Sequence, residues 1–313
     1  MNTEKKLKLM WCVTASVTVV AVVLSVAAML FEFESDIGYF AHFAPLHTIS
    51  QILTTLLTLF VLVMTLTMKK HETCQIINYN SSVFRFFASM TACLSLLAAY
   101  VEFNTLISSL RESASPVSST TAVIAGSLFF AVVSFFVYFN YCFGKNEKKS
   151  DTRGLCGMMA VGYLLCHLME THLVWPTQMN NPVKIALQLA IIALMLALTY
   201  TFKCEFAINK TSGRLRLAFM LICPVVALVF AIPTVIAYYA RIYTSFNTLV
   251  DAIYITSACG FVLASYMPQR LARPIAAAEW AEINADANNE ESDLADAGSD
   301  TEAETEPETE TEG

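Results

Sequence analysis

The sequence predicts an all-α fold, a polytopic transmembrane helical bundle of about eight spans. Three observations carry this. Of 313 residues, 56% are hydrophobic and 14% charged, with a mean hydropathy of +0.56, a composition suited to lipid as the main solvent. Eight apolar runs approach the roughly 20 residues that a helix needs to cross the hydrocarbon core. None alternates with the period of two that a membrane barrel strand requires, so each must satisfy its backbone internally as a helix.

The spans read as about 9–31, 46–68, 86–103, 120–143, 155–175, 183–202, 217–239 and 248–267. They make a membrane domain over 1–274, and 275–313 forms an acidic tail. The first run follows Lys5, Lys6 and Lys8, as a secretory signal would. It is charge-free over 9–31 and leads into acidic residues with no small-residue cleavage site, whereas a signal core is about 7–15 residues long. A retained first helix is expected.

Orientation follows from the basic residues. Sixteen of 19 fall on one side: Lys5, Lys6 and Lys8; Lys69, Lys70 and Arg85; Lys145, Lys148, Lys149 and Arg153; Lys203, Lys210, Arg214 and Arg216; Arg270 and Arg273. Arg111, Lys184 and Arg241 fall on the other. The positive-inside bias makes the first side cytoplasmic. The chain is thus expected in the cell membrane with both termini in the cytoplasm. Its nine cysteines fall in spans or on the cytoplasmic side, without any C-x-x-C pair, so no disulfide framework or zinc ribbon is indicated.

From Glu279 to Gly313 there are 14 acidic residues and no basic one. Such a segment lacks the apolar surface to offset its chain entropy and is expected to be disordered. The rest of the chain has 19 basic against 12 acidic residues, or +7, so the formal −7 of the whole says nothing about a substrate. The tail reads either as solvated low-complexity chain or as a docking arm for a basic protein partner.

Glu32, Glu102, Glu170 and Arg241 sit near the outer ends of the odd-numbered spans, at separations of 70, 68 and 71. Pro45, Pro116 and Pro182 open the helices after the three glutamates, whereas the fourth unit has Asn247. This spacing fits four tandem helical hairpins inserted in one orientation, although any hairpin of similar spans has about this period. If the units surround one axis, the four charges form a candidate outer polar cluster that attracts cations. The alternative is that each charge ends its helix at headgroup level.

His42, His47, His167 and His172 also fall on or near the outer face. His167 and Glu170 are three apart and share a helix face, which makes them weak candidates for a metal. Pro224 and Pro233 mark kinks in the seventh span, where freed carbonyls can line a path. Gln51, Asn140, Gln188 and the threonines Thr54, Thr55, Thr58 and Thr65 read as helix–helix adhesion. No acidic or basic residue is read near the middle of a span. With no phosphate loop, catalytic serine motif or paired catalytic carboxylates, neither an enzyme nor a cofactor is expected.

Phe31-Glu32-Phe33, running into Asp36-Ile37-Gly38-Tyr39-Phe40 and a proline-led second helix, resembles uncharacterised eight-span membrane proteins of bacteria. The resemblance implies a membrane fold and no activity. Two functions stay open: a transporter or channel-like protein for a small cation or solute, and a non-transporting scaffold or sensor that recruits a partner through its cytoplasmic face and tail. The partners these readings name are the lipid bilayer, a small cation or solute, and a protein partner of the acidic tail; nucleic acid is not expected. A reporter active only outside the cytoplasm, fused after Arg273, is expected to be silent; activity there reverses the topology.

Overall fold

The computed structural model describes residues 3–68, 81–112, 119–143, 151–175, 181–206, 213–243 and 245–265. The acidic tail, Pro116, and the basic residues Lys69, Lys70, Lys145, Lys148, Lys149, Lys210, Arg270 and Arg273 lie outside them. Among the described residues, eight helices are long and apolar enough to cross a membrane. The chain is a multi-pass membrane protein.

The helices are α1 (Thr3–Phe31), α2 (Pro45–Leu66), α3 (Ser82–Glu112), α4 (Ser119–Phe143), α5 (Asp151–Leu173), α6 (Pro182–Phe206), α7 (Gly213–Tyr239) and α8 (Phe246–Ala264). A two-stranded antiparallel hairpin, β1 (Phe33–Glu34) and β2 (Tyr39–Phe40), joins α1 to α2. Its turn uses Gly38 at φ 72°, where a side chain would be strained. That end of the bundle is the hairpin end below.

Local chemistry sets several helix starts. Pro45 opens α2, where its missing N–H costs nothing, and the Glu32 carboxylate accepts the backbone N–H groups of Leu46 (2.9 Å) and His47 (3.0 Å). Pro182 opens α6, with Asn181 Oδ1 accepting from the Val183 and Lys184 backbone and Asn181 Nδ2 donating to the Gly38 carbonyl. That last bond ties the hairpin to α6. α8 starts at a Ser245 N-cap.

Each consecutive pair of helices from α3 to α8 packs together, and α3 packs against α8, closing a six-helix ring. α8 leans inward far enough to touch α6 across the ring. The α1–α2 hairpin lies outside, against α7. This differs from four equivalent hairpins about one axis, because the first hairpin lies outside the ring that the other three form. Burial follows the same division: α7 and α8 are each 67% buried over their most apolar stretch, α2 only 22%.

The half of the ring away from the hairpin end is filled by aromatic rings. Phe261 of α8 meets Phe84 of α3 (4.9 Å between centroids), Tyr138 and Tyr141 of α4 (5.1 and 5.7 Å) and Phe202 of α6 (6.2 Å). Such offset and edge-on pairs add to the gain from packing. Two further close approaches in the ring need glycine. The Phe202 ring lies where a Cβ on Gly157 of α5 would stand, and the Phe87 ring of α3 does the same at Gly260 of α8.

The polar side chains of α2 act differently from the adhesion expected of them. Thr54, Thr55, Thr58 and Thr65 each donate to the carbonyl four residues back in their own helix. Adhesion between α1 and α2 comes from Ser50, which bonds Ser25 (2.6 Å) and the Ala21 carbonyl (3.0 Å). Pro224 and Pro233 are buried within α7, which stays helical from Gly213 to Tyr239. The Cys223 thiol of α7 touches that of Cys259 of α8, Sγ to Sγ 3.0 Å.

Gly260→Ala is expected to force Phe87 out of its seat and cost about 1–3 kcal/mol, as overpacked cores do. The thermal midpoint in detergent should fall by on the order of 3–10 °C; an unchanged midpoint means that Phe87 has a second, equally good position.

Candidate functional site

α3 runs to Glu112, nine residues beyond the apolar run read as its span, so Glu102 lies inside the helix and not at its end. It is buried in the ring, where it meets His167 and Glu170 of α5. His167 Nδ1 stands 3.3 Å from Glu102 Oε1 and 3.5 Å from Glu170 Oε2, and its Nε2 stands 3.1 Å from Asp251 Oδ1. The four residues are 3–7% exposed.

The elements explain why these groups meet. His167 and Glu170 are one turn apart on α5, with their side chains on the same face. Asp251 is the sixth residue of α8, whose N-terminal turns lie beside α5 at the hairpin end. Glu102 arrives from α3, which is held to α8 by the Thr91–Ser257 hydroxyl contact of 2.9 Å. The Tyr163 ring stacks on the His167 imidazole, with 5.6 Å between centroids and 17° between planes. Tyr163 is itself packed edge-on by Tyr254 of α8 at 5.3 Å.

Three carboxylates thus face one imidazole away from water. Even with the imidazole protonated, the fully ionised set carries a charge of −2, which a buried site holds only with a compensating cation or bound protons. The contacts are close enough for ion pairing but lack the alignment of hydrogen bonds. Both His167 nitrogens, Glu102 Oε2, Glu170 Oε2 and Asp251 Oδ2 are buried with no hydrogen-bond partner. Buried polar groups in native proteins are nearly always satisfied. One ligand atom each from Glu102, His167 and Glu170 lies within 4.8 Å of the other two, a spacing that can hold a metal ion.

Of the charges placed by the sequence in an outer polar cluster, Glu102 and Glu170 come together. Glu32 and Arg241 do not join them. Glu32 is engaged by the N-terminus of α2, and Arg241 is exposed at the C-terminal turn of α7 with φ 59°, in the left-handed position that commonly ends a helix. His47 stacks on Phe40 at 3.9 Å, His172 approaches Gln188 Nε2 at 3.5 Å, and His42 is exposed. Pro233 lines a small cavity with His47 and Gln51, on the side of α7 that faces the first hairpin. Lys184 is buried, its Nζ 3.4 Å from the carbonyls of His172 and Trp175 at the end of α5.

Asp251 is the residue that sequence reasoning missed. A signal was available: it is the one acidic residue in the eighth apolar run, and an ionisable group inside a span is a functional candidate by default. Comparison with protein-family models, curated proteins and solved structures finds no match to this chain.

In metal-free protein, His167→Ala leaves three buried carboxylates with no partner. It is expected to cost about 3–5 kcal/mol and to lower the thermal midpoint by on the order of 6–15 °C. Glu102→Gln removes one excess charge at constant shape and should leave the midpoint equal or higher. Loss of stability in Glu102→Gln with His167→Ala neutral reverses this account of the cluster. Both are read by thermal unfolding in detergent with a chelator present.

Proposed function

We infer that this protein binds a small cation inside its helical bundle and handles it as a transporter-like membrane protein. The observation that carries the reading is His167 Nδ1 within 3.5 Å of both Glu102 and Glu170, each buried and lacking a hydrogen-bond partner. Carboxylates grouped in a low-dielectric site attract cations strongly, and intramembrane ionisable groups commonly mark ion paths. The positive-inside bias supports placing the hairpin end, and with it the site, on the side away from the cytoplasm in the cell membrane. At a rise of about 1.5 Å per residue, Glu170 lies roughly 5 Å, Asp251 roughly 8 Å and Glu102 roughly 15 Å from the hairpin-end termini of their helices. No covalent step is part of this reading.

The aromatic packing around Phe261 favours a second reading, a non-transporting sensor. Phe84, Tyr138, Tyr141, Phe202 and Phe261 fill the ring beyond the cluster and block a straight path toward the other end. In a transporter these rings must part. In a sensor they stay packed, and the cytoplasmic face with the acidic tail passes the signal to a protein partner.

Proteoliposomes separate the two. With a panel of monovalent and divalent cations, a transporter shows uptake that falls to background in Glu102→Gln and Glu170→Gln. A sensor shows cation-dependent thermal stabilisation, lost in the same variants, with no uptake. Absence of both uptake and stabilisation across the panel, or identical behaviour of wild type and variants, removes the cation reading.

A further inference from the structure

Resting on the cation reading above, we propose that the site is built for a transition-metal ion of the zinc class: Glu102, His167 Nδ1 and Glu170 are its ligands, and Asp251 positions His167 from behind. Three features carry the assignment.

The first is the spacing of the donor atoms. Zinc bonds of about 2.0–2.2 Å at tetrahedral angles set neighbouring donors roughly 3.3–3.6 Å apart. His167 Nδ1 already lies 3.3 and 3.5 Å from the two carboxylate oxygens. A six-coordinate magnesium site, with bonds of about 2.0–2.1 Å, would set adjacent donors only about 2.9 Å apart. The two carboxylate oxygens, within 4.8 Å of each other, close the remaining distance by side-chain rotation.

The second is the donor set. Calcium and magnesium take oxygen ligands, whereas imidazole suits zinc, copper, iron and nickel. Here the imidazole is central, since its Nδ1 is the atom that both carboxylates approach. Three protein ligands leave a fourth tetrahedral position open, as in zinc sites that exchange a water or a further ligand.

The third is the other face of the ring. A metal-bound histidine almost always gives its second N–H to a carboxylate or carbonyl, which fixes the tautomer and raises the basicity of the ligating nitrogen. Asp251 Oδ1 stands 3.1 Å from His167 Nε2, in the place for that partner. Tyr163, stacked on the ring, holds its plane. With a divalent ion and a neutral imidazole, the charge of the three carboxylates falls from −3 to −1. Glu170 Oε2 and His167 Nδ1, buried atoms that lack a hydrogen-bond partner, acquire one in the ion.

The test uses the full-length protein in lipid nanodiscs, stripped with a chelator and titrated with Co²⁺, whose visible d–d bands report four-coordinate geometry. One Co²⁺ per chain is expected, displaced by Zn²⁺ and resisted by excess Ca²⁺ or Mg²⁺. Glu170→Gln and His167→Ala should abolish the bands. Asp251→Asn should keep the stoichiometry and the bands while weakening affinity by about 10–100-fold. Should His167→Ala fail to fold, Glu170→Gln, nearly isosteric, carries the same test.

Bands that persist in folded Glu170→Gln or His167→Ala overturn the ligand assignment, and unchanged affinity in Asp251→Asn overturns its positioning role. If Ca²⁺ or Mg²⁺ displaces Co²⁺ as readily as Zn²⁺ does, the transition-metal assignment falls while the cation reading stands. If no cation binds, both fall.

Discussion

The burial of His167 among three carboxylates is the constraint around which the hairpin end of this bundle is organised. The imidazole faces Glu102 of α3 and Glu170 of its own helix on one side and Asp251 of α8 on the other. A charged group in a dry interior is tolerated only with partners close by, and moving any one of these helices outward would leave a carboxylate with neither partner nor water. The distance between α3, α5 and α8 is therefore set at this level by electrostatics. Lower in the ring packing sets the spacing, where Phe87 against Gly260 requires close approach of α3 to α8 and Phe202 against Gly157 that of α6 to α5.

The two halves of the ring are built on opposite principles. Around Phe261 the interior is a continuous aromatic fill, held by dispersion and edge-on ring contacts. Around His167 it is polar, with buried atoms that find no hydrogen-bond partner. Tyr163 and Tyr254 mark the boundary, since Tyr163 stacks on His167 with one face and receives Tyr254 on its edge. Several unpartnered polar atoms gather around His167, whereas the Tyr138 hydroxyl is a single such atom within the aromatic fill.

The α1–α2 hairpin contributes little to this interior. It packs on α7, its two helices are joined by the Ser25–Ser50 hydroxyl contact, and its threonines satisfy themselves within α2. Between α2, α6 and α7 it leaves a mostly apolar groove of about 360 Å³ lined by Thr54, Thr58, Leu189 and Phe219, a surface that lipid chains can wet. The link to the rest of the hairpin end is specific all the same: Asn181 caps α6 and bonds the Gly38 carbonyl.

What was legible in the sequence was what depends on local composition. Eight apolar runs dictate eight helices because no other structure satisfies a backbone in lipid, and the proline-led starts of α2 and α6 follow from residue chemistry alone. His167 and Glu170 could be paired because three residues in a helix put side chains on one face. The equal spacing of Glu32, Glu102, Glu170 and Arg241 is a local regularity too, yet it did not decide which of them meet. That depended on α1–α2 lying outside the ring, on the nine further residues of α3 that carry Glu102 inward, and on α8 leaning toward the interior with Asp251. These are consequences of how helix faces fit together over long sequence separations, so only the tertiary structure could bring two carboxylates to one face of His167 and a third to the other.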